Sequence, residues 1–261
     1  MLQLKNISFS RGKSTVLQDI SLDIPAGDFT AILGANGAGK STLLSIAAGE
    51  LAPSAGQVLW GDQQLSAMNT AALARKRVVL PQNPGLNFNL MVDAVITMGA
   101  YPFPELSPAE VAEQVKRAAQ RADVTHLLGR CYPSLSGGEQ QRVQFARAMV
   151  QILACYQSGE YRCLLLDEPT ASLDPLHQHS LLSAARTLAL ETGIAVVAVL
   201  HDVNLAARYC TRIAMLANRS IIASGIPSNV LRSDFLEQTY DLPVTVLPHP
   251  KDAERPLVLF A

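Results

Sequence analysis

The sequence has almost no net charge. Its 261 residues include 21 Lys and Arg against 22 Asp and Glu, which gives a formal net charge of −1. Proteins that hold nucleic acid by bulk electrostatics carry a basic excess, so this balance disfavours nucleic acid as a partner. The hydrophobic content of 49% is enough for a well-buried core. The length fits one large domain, or a core with a subdomain.

Long apolar runs and paired cysteines are also missing. No run approaches the roughly 20 apolar residues of a membrane span, and residues 1–11 lack the apolar stretch of a signal peptide. The four cysteines are widely scattered, without the spacing of metal ligands: Cys131, Cys155, Cys163 and Cys210. We therefore expect reduced thiols in a cytosolic protein.

Four short apolar runs are present, and none alternates polar with apolar residues. They are FTAIL from Phe29, VVL from Val78, CLLL from Cys163 and AVVAVL from Ala195. Such runs are typical of strands buried on both faces. Helical stretches separate them, which predicts a parallel α/β sheet.

Polar residues follow each of these runs. They are Gly34, Gln82, the pair Asp167 and Glu168, and His201. Open parallel sheets bind ligands beyond the carboxyl ends of their strands. The sequence therefore predicts that these residues meet at one edge of the sheet.

Residues 87–151 differ in character and predict an inserted helical subdomain. One helix starts with Ser107 as N-cap, Pro108 in the first turn and Glu110 in a capping box. We expect residues 1–86 and 152–261 to form the core. The tail from Ile213 predicts a small hairpin followed by short helices.

The segment GANGAGKS matches the phosphate-loop pattern G-x-x-x-x-G-K-[ST], between a predicted strand and a predicted helix. Its glycines let backbone N–H groups face phosphates, and Lys40 reaches the β- and γ-phosphates. Ser41 is a candidate Mg²⁺ ligand. The candidate nucleotide-binding residues are Gly34, Ala35, Asn36, Gly37, Ala38, Gly39, Lys40, Ser41 and Thr42.

The segment CLLLDEP supplies a second part of the site. Asp167 suits Mg²⁺ held through water, and Glu168 is placed to accept a proton from attacking water. Alone, such a pair would be interpreted as a surface feature; beside a phosphate loop, the metal and base roles are favoured. Gln82 is a candidate contact of the metal or the water, and His201 of the γ-phosphate.

The segment PSLSGGEQQRVQFARA poses a question. Ser136 and Glu139 fit a capping box at a helix start. Two glycines follow the cap, although each costs a helix roughly 1 kcal/mol relative to Ala. A second phosphate loop would be expected to include a Lys, and none stands beside these glycines.

Taken together, these motifs resemble those of the ATP-binding cassette ATPases, whose signature is similar to LSGGEQQ here. The order of phosphate loop, Gln, signature, Asp-Glu, SLD and His also matches, from about Leu2 to Gly225. The resemblance implies a P-loop NTPase core with a mainly parallel sheet, an inserted helical subdomain and an N-terminal antiparallel β portion. It also implies ATP hydrolysis with Mg²⁺.

Further roles follow from the resemblance. Family members form head-to-tail dimers with two ATP molecules between the subunits. Ser136, Gly137 and Gly138 would then face the γ-phosphate bound by the partner, and Asp174 would cross the interface. Glu168 would be the general base and His201 the switch residue. Gln82 would sense Mg²⁺ and the membrane partner.

One position departs from the family pattern. Family members often place an aromatic residue that stacks on adenine about 23 residues before the phosphate loop, and Arg11 stands there in this chain. A guanidinium can also stack on a base plane. We therefore retain Arg11 as a candidate adenine contact with looser base selectivity.

A single cassette with a short tail resembles the ATPase of a bacterial importer. This implies two transmembrane permease subunits, a periplasmic substrate-binding protein as an indirect partner, and a peripheral position on the cytoplasmic face of the inner membrane. Residues 89–103 resemble importers of iron chelates, haem and cobalamin. The extension over residues 151–163 resembles haem importers, so haem is favoured as cargo.

Ferric siderophores and cobalamin remain alternative cargoes. An exporter ATPase and a non-transport ATPase of repair or translation remain alternative functions. Four histidines, His126, His177, His179 and His249, are interpreted as ordinary residues rather than haem ligands.

Overall fold

The computed structural model describes residues 1–82, 85–86 and 88–261. Its strands are, in chain order, β1 (Leu2–Arg11), β2 (Ser14–Ile24), β3 (Phe29–Leu33), β4 (Ala55–Trp60), β5 (Gln63–Gln64), β6 (Arg77–Leu80), β7 (Cys163–Asp167), β8 (Ala195–Val199), β9 (Arg212–Ala217), β10 (Ser220–Gly225), β11 (Val244–His249) and β12 (Asp252–Phe260). Its α-helices are α1 (Lys40–Ala47), α2 (Thr70–Ala74), α3 (Val92–Thr97), α4 (Pro108–Arg121), α5 (Gly137–Leu153), α6 (Pro175–Thr192), α7 (Val203–Tyr209), α8 (Pro227–Val230) and α9 (Ser233–Tyr240).

A six-stranded sheet forms the centre of the molecule, in the order β10-β9-β3-β8-β7-β6. The pairs along β9-β3-β8-β7-β6 are all parallel, and β10 pairs antiparallel with β9 at one edge. All four strands predicted from the apolar runs lie in this sheet. The prediction of a mainly parallel α/β core is therefore confirmed.

The sheet is buried on both faces, which explains why its strands do not alternate polar with apolar residues. In β3, Phe29 and Leu33 belong to a core that includes residues of α5, α6 and α7. Ile32 belongs to the opposite core, which includes Leu43 and Leu44 of α1 and residues of β1 and β2. Helix α1 therefore packs on the face opposite to α6.

The N-terminal antiparallel portion is a separate four-stranded sheet in the order β2-β1-β4-β5. Leu2 of β1 lies opposite Ile24 of β2 and Trp60 of β4. Leu2 and Ile24 are buried in the same core as α1. This sheet therefore covers the phosphate-loop helix, as the family resemblance implied.

Helices dominate residues 88–151; Asn87, the predicted first residue of the subdomain, lies outside the described residues. Both predicted capping boxes form, one at Ser107 with Glu110 and one at Ser136 with Glu139. Gly99 allows a close approach to α5, since a Cβ there would lie 2.3 Å from the Arg147 carbonyl oxygen. The division between core and subdomain stays a prediction.

The C-terminal tail differs from expectation. The predicted hairpin exists as β9 and β10, but β9 also pairs with β3 inside the central sheet. Short helices α8 and α9 follow, as predicted. A second hairpin, β11 with β12, ends the chain and was missed. Pro248 and Pro256 stand opposite each other in it, and proline normally argues against a strand.

Within the described ranges, no helix combines the length and the apolar character needed to cross a membrane. Cys131, Cys155, Cys163 and Cys210 are free thiols, as predicted.

Candidate functional site

The phosphate loop runs from the end of β3 to the start of α1. Two of its glycines are required by their surroundings. A Cβ on Gly34 would lie 2.4 Å from the Leu216 carbonyl oxygen, and one on Gly39 would lie 2.8 Å from a Leu17 methyl group. Gly39 also has φ +101°, a conformation that favours glycine. The loop therefore has the bare backbone that the motif predicts.

Lys40 begins α1 and is buried beneath the loop. Its Nζ donates hydrogen bonds of 2.9 Å to the carbonyl oxygens of Gly34 and Ala35. Burial lowers the pKa of Lys40, while the carboxylates of Glu168 and Asp167 oppose that change. The ammonium group is thus fixed between the loop and the acidic pair, where it can neutralise an anion.

Ser41 and Asp167 form the predicted metal pair. Ser41 Oγ donates to Asp167 Oδ1 at 3.0 Å, which joins the start of α1 to the end of β7. Burial raises the pKa of the Asp167 carboxyl, and the neighbouring Glu168 raises it further, although the Ser41 hydrogen bond opposes this. A half-buried carboxylate beside a hydroxyl group is an oxygen donor set that suits Mg²⁺.

Glu168 lies between Gln82 and His201, which contact its two carboxylate oxygens separately. Gln82 Nε2 donates to Oε2 at 2.6 Å, and His201 Nε2 lies 2.7 Å from Oε1. Glu168 also has φ +46°, which is uncommon for a residue other than glycine. Three sequence-predicted residues from three strand ends therefore meet at one carboxylate.

The signature segment begins α5. Ser136 Oγ accepts a hydrogen bond from the Glu139 amide, and the Glu139 carboxylate accepts one from the Ser136 amide at 2.8 Å. The two glycines differ. A Cβ on Gly138 would lie 3.0 Å from the Ser172 carbonyl oxygen, whereas one on Gly137 would meet nothing within 4 Å. The described part of the chain thus gives a packing reason for Gly138 but none for Gly137.

Asp174 is the N-cap of α6 in this chain. Its Oδ1 accepts from the His177 amide at 2.9 Å, and this bond lowers the pKa of the Asp174 carboxyl. The SLD segment also lies next to the signature, since a Cβ on Gly138 would lie 3.0 Å from the Ser172 carbonyl oxygen. The two motifs predicted to face a partner are therefore neighbours.

Arg11 is exposed at the end of β1. A cleft of about 440 Å³ lies beside the phosphate loop, between residues 14–16 of β2, loop residues 35–38, the turn after β9, and Gln238 and Thr239 of α9. Arg11 does not line this cleft. The sequence does not predict the contributions of α9 and of the turn at Asn218, because these residues lie almost 200 positions from the loop and carry no motif.

The comparisons with known proteins agree with this geometry. The ABC transporter family profile matches residues 17–171, from β2 to the segment after Glu168. The chain belongs to the ABC transporter family. This membership, together with the relatives described next, makes the chain an ATP-binding protein that hydrolyses ATP.

Two curated relatives match almost end to end. The hemin import ATP-binding protein HmuV of Bordetella parapertussis is 51% identical over 258 residues, which cover 99% of this chain and 98% of the relative. The protein of the same name from Pseudomonas aeruginosa is 43% identical over 251 residues, covering 96% of each.

Two solved structures share the fold. One is an inward-facing metal-chelate type ABC transporter, with TM-score 0.78 and 25% identity over 100% of this chain and 96% of that chain. The other is the dimeric bacterial cassette MJ0796, with TM-score 0.76 and 26% identity over 87% of this chain and 98% of that chain. The family and fold predictions are both confirmed.

Proposed function

We propose that this chain is the ATP-hydrolysing subunit of a bacterial importer that takes up haem through a membrane permease. The arrangement at Glu168, held by Gln82 and His201 beside the phosphate loop, carries the catalytic part of the proposal. The cargo follows from the end-to-end likeness to hemin import ATP-binding proteins and from the sequence features that favoured haem.

Glu168 is the general base that accepts a proton from the attacking water. Its two oxygens are already oriented by Gln82 and His201, so little reorganisation is needed before proton transfer. His201 can also donate to a γ-phosphate oxygen, which makes it the residue that reports which nucleotide is bound. Gln82 follows β6 and links the same carboxylate to the segment that leads into the helical region.

Phosphate binding belongs to residues 34–42, in which loop amides and the Lys40 ammonium stabilise the negative charge of the β- and γ-phosphates. Ser41 and Asp167 would hold Mg²⁺, with Gln82 near it. Bound there, the ion neutralises charge that develops on the phosphate oxygens. Arg11 contacts the adenine base from the end of β1.

The function requires two copies of the chain, arranged head to tail. Ser136, Gly137 and Gly138 then donate to the γ-phosphate bound by the partner copy, and Asp174 crosses the interface. This supplies a reason for Gly137, whose packing among the described residues gives none: glycine leaves the helix start open to close approach by a phosphate. No Lys is needed there, because Lys40 of the partner supplies the cation.

ATP closes this dimer and hydrolysis reopens it. A nucleotide drives such motion only through its higher affinity for one of the two states. The helical regions move with closure and grip two permease subunits at the cytoplasmic face of the inner membrane. A periplasmic substrate-binding protein delivers the cargo from the other side.

The test is ATP hydrolysis by the chain reconstituted with its permease in liposomes. A binding protein is supplied loaded with haem, then with a ferric siderophore, then with cobalamin. We expect only the haem-loaded protein to stimulate hydrolysis and to be accompanied by haem uptake. The matched control is the Glu168→Gln variant, which should assemble with the permease and transport nothing.

Other outcomes select other functions. Stimulation by a different load would keep the importer and reject haem as the cargo. Export of cargo from the liposomes would reverse the assigned direction. Steady hydrolysis in solution without assembly with the permease would favour a non-transport ATPase.

A further inference from the structure

A second cleft lies away from the phosphate loop, between helices α6 and α7 and the C-terminal hairpin. We call it the C-terminal cleft. Its volume is about 620 Å³, within the range of about 300–1,000 Å³ that is usual for small-molecule sites. Its walls include Leu205, Pro250, Pro256 and Leu257. The surface is therefore apolar over a large part of its area.

Two histidines line this cleft from opposite elements. His179 belongs to α6 and His249 to β11. His179 Nδ1 lies 2.5 Å from the Tyr209 hydroxyl oxygen, and His249 Nδ1 accepts from the Lys251 amide at 3.3 Å. In the described part of the chain, neither Nε2 atom has a hydrogen-bond partner. Each ring is thus held through one nitrogen and offers the other, as metal-ligating histidines do.

The cleft also carries an excess of positive charge. Arg208, Lys251 and Arg255 line it together with Asp202 and Asp252. Arg255 is paired with Asp252 at 2.8 Å, and the Asp202 carboxylate caps α7 by accepting from two amides. Among the residues that the structure describes, no carboxylate lies within ion-pair distance of Arg208 or Lys251. Two cations are therefore available to a ligand.

From these features we infer that the C-terminal cleft is a binding site for ferric haem. The apolar walls contact the porphyrin faces, while Arg208 and Lys251 pair with the two propionates. His179 and His249 supply the imidazoles for the iron, which is a common form of haem ligation. The sequence alone favoured ordinary roles for both histidines; the tertiary structure brings them into one cleft with Arg208 and Lys251.

The position of the cleft links it to catalysis. Asp202 lines it and directly follows His201, and Asn204 of α7 holds β12 through two hydrogen bonds with the Val258 backbone, of 3.0 and 2.8 Å. A ligand wedged between α7 and the hairpin therefore acts on the helix that begins two residues after His201. Bound haem slows ATP hydrolysis, which makes the site a sensor of imported cargo. This regulatory role rests on the proposed function.

The first experiment is a titration of the purified full chain with hemin, followed by the Soret absorption band. We expect saturable binding with the spectrum of an imidazole-ligated ferric haem. His179→Ala and His249→Ala should each weaken binding by about tenfold or more and shift the band. Lys251→Ala should weaken binding severalfold without shifting it. His126→Ala, in the helical region, is the matched control and should bind like the wild type.

Metal-free protoporphyrin IX separates iron ligation from the apolar and ionic contacts. It should bind more weakly than hemin, and His249→Ala should not weaken it further. If His179→Ala lowers the melting temperature through loss of its Tyr209 contact, His249→Ala at the hairpin decides whether the cleft ligates the iron. Equal hemin binding by His249→Ala, His126→Ala and the wild type would overturn the site.

The regulatory part is measured as ATP hydrolysis with and without hemin. Hydrolysis by the wild type should fall as the Soret signal saturates, whereas hydrolysis by His249→Ala should not fall.

The liposome assay distinguishes the two proposals. Haem transport without saturable binding by the chain would reject only the cleft. Saturable binding with loss in the histidine variants, but without haem transport, would keep the site and reject the cargo. Saturable binding without any effect on hydrolysis would reject the sensor role.

Discussion

At the scale of single residues, the proposed general base Glu168 has a carboxylate that two neighbours hold in place. Gln82 and His201 occupy opposite oxygens of its carboxylate. An amide in place of that carboxylate retains the size of the side chain but cannot accept the proton from water. Its role is therefore separable from ATP binding, which depends on residues 34–42.

We expect Glu168→Gln to reduce the rate of ATP hydrolysis by about 100-fold or more, the usual effect of losing a general base, while ATP affinity stays close to the wild type. Steady-state hydrolysis and equilibrium binding of ATP measure the two quantities. Glu191→Gln, at an exposed position near the end of α6, is the control. Rapid hydrolysis by Glu168→Gln would remove Glu168 from the role of base.

Asp167 differs from Glu168, because the charge of its carboxylate destabilises the folded chain. Burial raises the pKa of its carboxyl, so ionisation of this carboxyl costs more free energy in the folded state than in the unfolded state. The cost is present above the folded pKa and disappears as the pH falls below the unfolded value. A divalent cation held by Asp167, as proposed, would offset it.

Asp167→Asn should therefore leave the melting temperature of the nucleotide-free protein unchanged or higher, yet weaken Mg²⁺-dependent ATP binding. Thermal unfolding with and without Mg²⁺ and ATP measures both effects. In the wild type, chelation of Mg²⁺ should abolish hydrolysis. A fall in the melting temperature of the nucleotide-free variant would show that Asp167 serves folding rather than metal binding.

At the scale of elements, the Asn204 side chain ties the C-terminal hairpin to α7. The Asn204 amide donates to the Val258 carbonyl oxygen and accepts from the Val258 amide. Helix α7 begins at Val203, immediately after His201 and Asp202. The same helix thus connects the hairpin with the residue proposed to sense the γ-phosphate.

Asn204→Ala removes both hydrogen bonds and leaves the half-buried Val258 backbone groups without their partners. We expect a loss of about 1–3 kcal/mol of unfolding free energy, seen as a melting temperature lower by several degrees. The rate of ATP hydrolysis should fall as well. Asn229→Ala, at an exposed position in α8, should change neither quantity. Normal hydrolysis by a destabilised Asn204→Ala would limit this contact to a role in stability.

At the scale of the whole molecule, the proposed function places each nucleotide site between two chains. The signature and SLD segments are neighbours, and Gly137 leaves open space at the start of α5. In the proposed dimer that space receives the partner's nucleotide. The chain's mass of 28.0 kDa makes monomer and dimer easy to distinguish by light scattering.

ATP should convert the Glu168→Gln variant to a dimer, because closure is retained and hydrolysis is blocked. Adding Gly137→Ala should prevent this, since the new methyl group would stand where the phosphate approaches. Monomer stability should not fall, because none of the described residues lies within 4 Å of that Cβ position and Ala is the better helix former. ATP binding by the monomer is the control. If the double variant dimerised as tightly as Glu168→Gln alone, the signature would not face the partner's nucleotide.

The sequence by itself determined the central sheet, the phosphate loop, the helix caps and the family. Buried strands produce unbroken apolar runs such as FTAIL, and the loop and caps depend on residues that are adjacent in the chain. These signals are local, so they can be read without knowing the fold. The residues at the strand ends were predictable for the same reason, because parallel strands bring their carboxyl ends to one edge.

Only the tertiary structure decided the pairings across long separations. The contact of Gln82 with Glu168 spans 86 residues and that of Asn204 with Val258 spans 54, and neither has a periodic or spaced pattern that predicts it. The second hairpin was missed because its prolines argue against strands, although their paired positions are tolerated at the edges of a two-stranded sheet. His179 and His249 became candidates for a common ligand only when the fold placed them around one cleft.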